Sequence, residues 1–303
     1  MKVLVTGAAG YLGRSTAVSL LAAGHDVVPV VRQTNGESLP NSVPYDLAER
    51  AAVRDLFERI RPEAVVHAAA AVGRGDDPGF RQRLLRDNIG ATAHLAAAAS
   101  EFGCARIVYC STISVYPRRT VASPPINEDE PTAPRDPYGQ SKLIGESTID
   151  LAIGGNDSVA ISLRLTGIHG PPRRTGSVAS FVKSALLGKP LRIDEPRSIF
   201  RFAFIDDAVA AIGAALSASL APGHHRFNIA GAEAVTLGTL ARRIAACADV
   251  SADIQEVDKG TARQDAMAIE KARAALGYAP QPLDVGLSKL IAYLRDCDLD
   301  ERA

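Results

Sequence analysis

The sequence predicts an α/β fold in which a doubly wound parallel sheet lies between two layers of helices. Short β-branched runs alternate with alanine-rich amphipathic stretches through the first half of the chain, as is typical of βαβ units. The runs are apolar on both faces, as expected for strands covered by helices on each side. Strands are predicted at 2–6, 26–31, 64–69, 106–111 and 159–165. Helices are predicted near 11–24, 47–61, 80–103 and 138–154.

The second half of the chain alternates less regularly and predicts a smaller α/β lobe. Residues 167–176 read as a loop, "FRFAFIDD" at 200–207 as a strand, and "HRFNIAG" at 225–231 as part of the smaller lobe. Further helices are predicted near 177–188, 206–220, 236–248 and 282–296. We expect residues 1–165 to form the doubly wound domain and 166–303 to form mainly an interleaved C-terminal lobe, with a segment near 200–222 returning to the first domain.

Composition limits the classes of function. The 303 residues carry no net charge at pH 7, which argues against a surface for nucleic acid or anionic membranes. The four cysteines form no CxxC pair and no Cys/His cluster, so we expect free buried thiols in a reducing compartment and no metal site. A strand begins at Lys2 with no apolar signal region before it, and no apolar run reaches the roughly 18 residues of a membrane span. The expectation is a soluble cytoplasmic protein.

Three glycines follow the first predicted strand in "MKVLVTGAAGYLGRS", at positions 7, 10 and 13. Gly7 suits a tight turn leaving the strand, Gly10 lets the backbone approach a diphosphate, and Gly13 lets the next helix pack closely on the sheet. The N–H groups and the dipole at the start of that helix would face the phosphates. Placed at the first strand of a βαβ series, the motif predicts a dinucleotide site in a Rossmann-type domain.

A second group of residues carries acid-base chemistry: Tyr138 and Lys142, with Ser111 and Thr112 at the end of the fourth predicted strand. Residues four apart share a helix face, so the Lys142 ammonium can lie beside the Tyr138 phenol. A free phenol has a pKa of about 10, and a neighbouring cation favours the phenolate and lowers that pKa. Thr112 is placed to hydrogen-bond a substrate carbonyl or alcohol opposite the tyrosine. The pattern indicates an acid-base site beside a bound dinucleotide.

With these motifs the chain resembles the extended short-chain dehydrogenase/reductases, and within them the NAD-dependent epimerase/dehydratase family, whose members act mainly on nucleotide sugars. "VTGAAGYLG" resembles the family's TGxxGxxG, "YDLAE" its Asp-Leu segment, "HAAA" at 67–70 its third-strand loop and "NIGAT" at 88–92 its asparagine motif. "STISVYP" resembles the serine/threonine motif and "PYGQSK" the tyrosine-lysine motif. "RLTGIHGP", "FNIAGAEAVTL" and "RQD" at 263–265 resemble later motifs, so the resemblance covers nearly the whole chain.

The resemblance implies a role for each matching residue. Tyr138 would exchange the proton of a hydroxyl as hydride moves to or from the nicotinamide, Lys142 would tune it and bind the nicotinamide ribose, and Thr112 would orient the reacting oxygen. The cofactor-binding residues would be Gly7, Ala9, Gly10, Tyr11, Leu12, Gly13, Arg32, Asp46, Leu47, Ala68, Ala69, Ala70, Asn88, Tyr138 and Lys142. The substrate-binding residues would be Ser111, Thr112, His169 and Arg263. Family members commonly pair two helices, here near 80–103 and 138–154, into a four-helix interface, so a homodimer is expected.

Departures from the family pattern bear on the substrate. Dehydratases of the family carry an acidic pair where this chain has Ile113 and Ser114, so we expect no dehydration. The family's substrate-contacting asparagine and a nearby tyrosine are replaced by Gly167 and His169. Arg201 stands one residue after the place of a family arginine. Because a shift of one residue reverses the face of a strand, Arg201 is a poor candidate for a phosphate ligand.

The end of the second predicted strand bears on the choice of cofactor. Enzymes that use NAD usually hold the ribose hydroxyls with a carboxylate at this position, whereas here Val31 is followed by Arg32. A guanidinium donates two parallel hydrogen bonds to a phosphate. The sequence therefore favours NADP, while NAD is acceptable if Arg32 only stacks on the adenine or faces water.

Three functions remain open. The leading one is an NAD(P)-dependent oxidoreductase or epimerase that transfers hydride at a sugar carbon, either a nucleotide-sugar 4-epimerase or a 4-ketoreductase. The alternative enzyme is a ketone or aldehyde reductase, or an alcohol dehydrogenase, acting on a small non-nucleotide substrate, which Gly167 and Phe200 favour. The third is a non-catalytic dinucleotide-sensing protein, against which the intact Tyr138 and Lys142 argue.

Overall fold

The centre of the molecule is a sheet of seven strands, all of them parallel. The computed structural model describes residues 1–34, 36, 38–73, 75 and 77–297. From one edge to the other, the sheet contains β12 (Gly223–Ile229), β7 (Val159–Leu165), β5 (Arg106–Thr112), β4 (Ala64–His67), β1 (Lys2–Thr6), β2 (Asp26–Val31) and β3 (Val43–Pro44). The chain runs from β1 to one edge and then returns past β1 to build the other half. The predicted Rossmann-type sheet is confirmed, and its direction reverses between β1 and β4, where such sheets bind ligands.

Helices cover both faces of this sheet. The helices on one face are α1 (Tyr11–Ala22), α7 (Ile205–Ser217) and α9 (Glu270–Leu276). Those on the other face are α2 (Arg50–Ile60), α4 (Ala91–Glu101) and α5 (Pro137–Ile153). The alternation along β1 shows why the strand is apolar on both sides: Val3 and Val5 belong to the first of these cores and Leu4 to the second.

The smaller lobe is built from short strands and three helices. A four-stranded sheet contains, in spatial order, β13 (Val235–Thr236), β10 (Ile199–Phe200), β15 (Arg263–Asp265) and β6 (Arg119–Thr120). Two strand pairs complete it, β11 (Ala203–Phe204) with β8 (Ile168–His169), and β14 (Ile254–Val257) with β9 (Leu191–Asp194). The apolar core of the lobe lies between α6 (Ser177–Leu186), α8 (Leu237–Ala248) and α10 (Leu283–Arg295).

Two strands differ from the sequence-based expectation. The segment assigned to the smaller lobe as "HRFNIAG" belongs to the large sheet, since β12 pairs in parallel with β7 and buries Phe227 and Ile229. "FRFAFIDD" is not one strand: β10 and β11 are two residues each and join different sheets. Arg201 between them donates hydrogen bonds to three backbone carbonyl oxygens, of Gly231, Ala232 and Met267, which agrees with its exclusion as a phosphate ligand.

The long helix predicted at 80–103 is divided into three parts. It consists of α3 (Pro78–Arg83), a π-helical turn at Leu84–Gly90, and α4. Such turns occur frequently at functional sites. Here the turn carries Asn88, which is directed toward α5.

Within the described ranges, no helix combines the length and apolarity that crossing a bilayer requires. In the same part of the chain, no three His, Cys, Asp or Glu side chains are grouped to hold a metal ion. All four cysteines are free thiols, but only Cys104 and Cys110 are buried, so the prediction of burial is wrong for Cys247 and Cys297, which are partly exposed.

Candidate active site

The glycine loop between β1 and α1 has the geometry of an anion site. Gly7 has a φ of +68°, and a Cβ there would lie 2.7 Å from the Ala69 nitrogen. A Cβ at Gly13 would collide with the Gly7 carbonyl oxygen. Gly10 precedes α1 without a side-chain cap, and the first turn of α1 contains no acidic residue. The first N–H groups of α1 have no partner within the helix, so they are available to a phosphate.

A cavity of about 470 Å³ extends from this loop along the ends of β1, β2 and β4. The predicted cofactor residues that line it are Gly7, Ala9, Gly10, Arg32, Asp46, Leu47, Ala68, Ala69 and Ala70. The remaining loop residues, Tyr11, Leu12 and Gly13, form the first turn of α1 beside it. A cavity lined by the glycine loop, by the ends of these strands and by charged side chains fits a dinucleotide.

The charged side chains that line this cavity are Arg32, Arg83, Asp46 and Asp87. The Arg32 guanidinium lies 3.0 Å from the Asp87 carboxylate, and the Arg32 side chain is 61% exposed. Arg86 forms ion pairs with both Asp46 and Asp87. The sequence analysis missed Asp87, because nothing in the local pattern indicates that a helix residue faces the end of β2.

Asn88 acts through its neighbours. Its Oδ1 accepts a hydrogen bond from the Ala71 N–H at 2.7 Å, and its Nδ2 donates to the Ala71 carbonyl and to Ser141 Oγ at 2.9 Å. The side chain is buried and lines neither cavity. Asn88 therefore ties the loop after β4 to α5, and the direct cofactor contact that the family resemblance implies stays a prediction.

A larger cavity, of about 1080 Å³, opens where β5 and α5 meet. Thr112 at the end of β5 and Tyr138 in the first turn of α5 both line it. The start of α5 is set by Asp136, whose carboxylate accepts a hydrogen bond from the Gly139 N–H at 2.6 Å. A Cβ at Gly139 would collide with the Ser114 backbone, so glycine lets α5 begin directly against the loop after β5. This close approach brings the two predicted catalytic groups to one wall.

Lys142 lies one helical turn beyond Tyr138 and is buried. Its Nζ is 4.0 Å from the centroid of the Tyr109 ring, a cation-π contact. Burial lowers the pKa of Lys142 to about 8, while Cys110 and Glu146 act in the opposite direction. Because this value is above neutral pH, the ammonium form predominates at pH 7.

The pKa of Tyr138 departs from the expectation. The sequence analysis predicts that Lys142 lowers it, whereas burial raises it, with smaller contributions from Cys110 and Asp136. The expectation was wrong for this structure because burial removes the phenol from water, which disfavours the phenolate. The phenol is therefore protonated at neutral pH.

Ser111 does not reach the larger cavity. Alternate residues of a strand face opposite sides, so Ser111 faces away from Thr112, and its Oγ donates a hydrogen bond to Glu146 Oε1 at 2.5 Å. The strand alternation in the sequence contains this signal, and it separates Ser111 from the substrate wall. Ser114, Arg135 and Arg173, which the sequence analysis did not select as site residues, do line the cavity.

A buried ion pair between Glu146 and Arg164 connects α5 to the large sheet. Arg164 on β7 donates to the Glu146 carboxylate through Nε at 3.1 Å and Nη2 at 2.8 Å. The two side chains are only 3% and 1% exposed. Arg164 Nη1 also donates to Tyr116 Oη at 2.7 Å, and that hydroxyl donates to Asn228 Oδ1. Glu146 stands four residues beyond Lys142 on the same helix face, and its network joins α5 to β5, β7 and β12.

The two other predicted substrate residues both line the larger cavity. His169 is buried, its ring centroid is 5.8 Å from that of Phe204, and its Nδ1 has no hydrogen-bond partner among the described residues.

Arg263 lies over the Phe200 ring, and its Nε donates to Asp265 at 2.8 Å. Arg135 donates to the other oxygen of Asp265 at 2.6 Å. Two guanidinium groups thus share one carboxylate at this end of the cavity.

Two buried histidines, His67 and His169, are expected to lower the free energy of unfolding in acid. Burial lowers the pKa of His67 to about 3 and that of His169 to about 4, against about 6.5 in the unfolded chain. Below pH 6.5 the unfolded chain binds protons that the folded chain does not, so stability falls as the pH falls. At pH 5 we expect each histidine to cost roughly 2 kcal/mol of unfolding free energy relative to pH 7.5. Urea unfolding at the two pH values measures this.

His169→Phe supplies the control for that prediction. The ring is kept beside Phe204 and one titrating group is removed, so the loss between pH 7.5 and pH 5 should shrink by roughly 2 kcal/mol. An unchanged loss in the variant would contradict the assignment of His169 as a buried neutral histidine.

The fold and the site together define a class of enzyme. A dinucleotide cavity at the switch point of the sheet meets a second cavity lined by Thr112 and Tyr138, and a buried lysine lies one helical turn beyond the tyrosine. This is the arrangement of short-chain dehydrogenase/reductases. The C-terminal lobe that completes the larger cavity is the mark of their extended class. Residues 3–230 match the model of the NAD dependent epimerase/dehydratase family, and the chain belongs to that family.

Individual relatives and solved structures agree with this assignment. The chain is 30% identical to the UDP-glucose 4-epimerase of Mycolicibacterium smegmatis over 98% of its own length and 99% of the relative's. It is 29% identical to a 3-diazoavenalumate denitrifying reductase of Streptomyces sp over 71% of its length and 72% of the relative's. The structure of the UDP-glucuronic acid 4-epimerase from Bacillus cereus, in complex with UDP-glucuronic acid and NAD, matches with a TM-score of 0.85 at 26% identity, covering 97% and 99% of the two chains. The predicted family and NAD(P)-dependent class are confirmed.

Proposed function

We propose that this protein is a nucleotide-sugar 4-epimerase. The observation that carries the proposal is that Thr112 and Tyr138 share one wall of a cavity of about 1080 Å³ that meets the dinucleotide cavity at Val72. Ligand pockets are commonly about 300–1,000 Å³, so this cavity has room for a nucleotide as well as a sugar. Arg118, Arg173 and Arg263 line it and supply positive charge for a diphosphate.

The residues of the wall suit the reversible removal of hydrogen from a sugar hydroxyl. A dinucleotide held by the glycine loop would supply reversible hydride transfer at the sugar C4, with the keto sugar turning over between the two transfers. Thr112 orients the C4 oxygen. The phenolate form of Tyr138, reached by loss of the phenol proton to solvent, takes up the proton of the C4 hydroxyl, and the phenol then returns it. Because burial raises the pKa of Tyr138, the phenolate needs positive charge nearby, and the Lys142 ammonium supplies it.

Conversion of UDP-sugars labelled with deuterium at C4 tests the proposal. A 4-epimerase interconverts UDP-glucose with UDP-galactose, or the corresponding uronic acids, and keeps the deuterium at C4 without net consumption of dinucleotide. A 4-ketoreductase consumes reduced dinucleotide in proportion to product. If no UDP-, GDP- or dTDP-sugar is converted, the proposal is wrong.

Reduction of a small ketone or aldehyde is the second candidate function. Gly167 stands where the family has a substrate-contacting asparagine, and Phe200 stands in place of a family arginine; both residues line the larger cavity. The similarity to the Streptomyces reductase supports the same alternative. Turnover of simple ketones with reduced dinucleotide, in the absence of any nucleotide-sugar conversion, would favour it.

We propose that NADP is preferred over NAD. Arg32 lines the dinucleotide cavity at the end of β2, and the strand itself ends in Val31 without a carboxylate. A 2′-phosphate would replace Asp87 as the partner of the exposed Arg32 guanidinium. In fluorescence titrations at low salt, Arg32→Ala should lower the preference for NADP roughly tenfold, the scale of a charged hydrogen bond.

Asp87→Asn tests the same contact from the other side. Removing that carboxylate frees Arg32, so the preference for NADP should rise rather than fall. Equal affinity of the unmodified protein for both dinucleotides, or tighter binding of NAD, would show that Arg32 does not select the cofactor.

We also propose a homodimer built on α5 and the neighbouring π-helical turn. Large apolar side chains are exposed on these helices: Leu151 is 84% exposed, Leu85 62% and Ile144 37%. Exposed apolar side chains on adjacent elements suit a two-fold interface. Light scattering at micromolar concentration should give the mass of a dimer, and Leu151→Asp should shift it toward the monomer. A monomeric mass for the unmodified protein would reject this assembly.

The proposed location of the protein is the cytoplasm. Its four free thiols suit a reducing compartment, and a dinucleotide-dependent enzyme needs the cofactor pool. Fractionation of the source cells with an antibody to the protein would test the location.

A further inference from the structure

Tyr11 reaches from the dinucleotide site to the substrate cavity. Its Oη donates a hydrogen bond to the Gly170 carbonyl oxygen at 2.8 Å, across 159 residues of chain. Gly170 lies in the loop 167–176, and several residues of this loop line the larger cavity. Burial raises the pKa of the Tyr11 phenol, so the hydroxyl remains a donor across the physiological range.

The Tyr11 ring also contacts Arg173, a cation that lines the larger cavity. The Arg173 guanidinium carbon is 5.4 Å from the ring centroid, within the range of a cation-π contact. Arg173 Nη1 donates to the Ile168 carbonyl at 3.4 Å, and the Arg173 N–H donates to the Gly170 carbonyl at 3.1 Å. Arg173 is half-buried and lines the larger cavity. Its position therefore depends on the same loop that Tyr11 holds.

The backbone of Tyr11 lies at the dinucleotide site, at the start of α1. Tyr11 is the first residue of α1, directly after the uncapped Gly10, and its N–H group is one of those without a partner inside the helix. An anion bound at the start of α1 would therefore contact the backbone of the residue whose side chain holds the substrate loop.

We propose that Tyr11 is a positioning residue that couples the dinucleotide site to the substrate site. It fixes the loop 167–176 and thereby presents Arg173 to an anionic group of the substrate. The identity of that group as the diphosphate of a nucleotide sugar rests on the proposed function. The coupling itself rests on the Tyr11 contacts alone.

Hydrogen exchange tests the coupling without reference to any substrate. Tyr11→Phe keeps the ring over which Arg173 lies and removes the hydroxyl, so amides of 167–176 should exchange several-fold faster while those of β1 and α2 are unchanged. Saturation with NADP or NAD should slow exchange of this loop in the unmodified protein and have little effect on it in Tyr11→Phe. Loop exchange that is the same in both proteins, with and without dinucleotide, would overturn the proposal.

Binding of UDP to the dinucleotide-saturated protein tests the role of Arg173. In titration calorimetry we expect Tyr11→Phe to weaken UDP binding about 3- to 10-fold, the range of one hydrogen bond, and Arg173→Ala to weaken it about tenfold or more. Arg174→Ala is the matched control, because this exposed neighbour of the same charge extends toward Tyr293 and does not line the cavity. Its binding should stay within about twofold of the unmodified protein.

The outcomes separate this proposal from the proposed function. Equal losses in Arg173→Ala and Arg174→Ala would mean that only general charge matters, and would remove Arg173 from the proposal. If the unmodified protein binds no UDP, the assignment to UDP-sugars fails, while the exchange of loop 167–176 still decides whether Tyr11 couples the two sites.

Discussion

Tyr138→Phe is expected to lower turnover by roughly 10² or more, the scale of general acid-base catalysis, while the protein folds and binds its dinucleotide. Phenylalanine keeps the ring that lines the larger cavity and lacks the hydroxyl that would carry the proton. The loss should appear in kcat with little change in the dissociation constant of the dinucleotide, because a transition-state interaction is removed. Steady-state assays and fluorescence titration measure the two quantities.

Tyr278→Phe is the matched control for this loss of a hydroxyl. Tyr278 is also buried, and its Oη donates to the Ala230 carbonyl at 2.8 Å, but it does not line either cavity. Its replacement should reduce stability by about 1 kcal/mol and leave kcat near that of the unmodified protein. Near-normal turnover in Tyr138→Phe, or equal losses in both variants, would remove Tyr138 from the mechanism.

The long elements of the fold could be predicted because their signal is local. The buried strands β1, β2 and β7 are apolar on both faces, and their observed ends coincide with the predicted ones. The two-residue strands have no such pattern, since they exist only where a distant segment pairs with them. The same reason explains β12, whose membership of the large sheet is decided by its pairing with β7.

The site residues also fall into two groups, those that a local motif predicts and those that only the tertiary fold brings together. Gly7, Thr112 and Tyr138 belong to contiguous motifs, and the structure places them at the two cavities. Asp87 and Arg173 have no motif: the first meets Arg32 across the end of β2, and the second lies over the ring of Tyr11. Side chains that meet only through tertiary folding leave no trace in local spacing.

The pKa values show a further limit. The spacing of Tyr138 and Lys142 predicts the sign of their mutual interaction, but the net shift of Tyr138 follows burial. The burial of Tyr138 depends on the residues that pack around its ring, and the position of one lysine in the sequence does not predict that packing.

Glu146→Ala is expected to lower the free energy of unfolding by roughly 3–5 kcal/mol, the cost of leaving a buried charge without its partner. The variant removes the carboxylate that accepts hydrogen bonds from Arg164 and Ser111. The buried Arg164 guanidinium then lies between α5 and β7 without its ion-pair partner. Urea unfolding at pH 7.5 measures the change. The carboxylate of Glu101 provides the control, because it pairs with Arg54 at 2.9 Å with both side chains about half exposed, and Glu101→Ala should cost less than about 1 kcal/mol.

Glu146→Leu combined with Arg164→Met separates the stranded charge from the loss of packing. Removing both charges leaves neither to be buried alone, so the double variant should recover much of the stability lost in Glu146→Ala. Tyr116 would still lose its donor from Arg164, which keeps the recovery incomplete. If Glu146→Ala costs no more than Glu101→Ala, the buried pair does not hold α5 against the sheet, and the placement of Tyr138 and Lys142 has to depend on the apolar contacts of that helix instead.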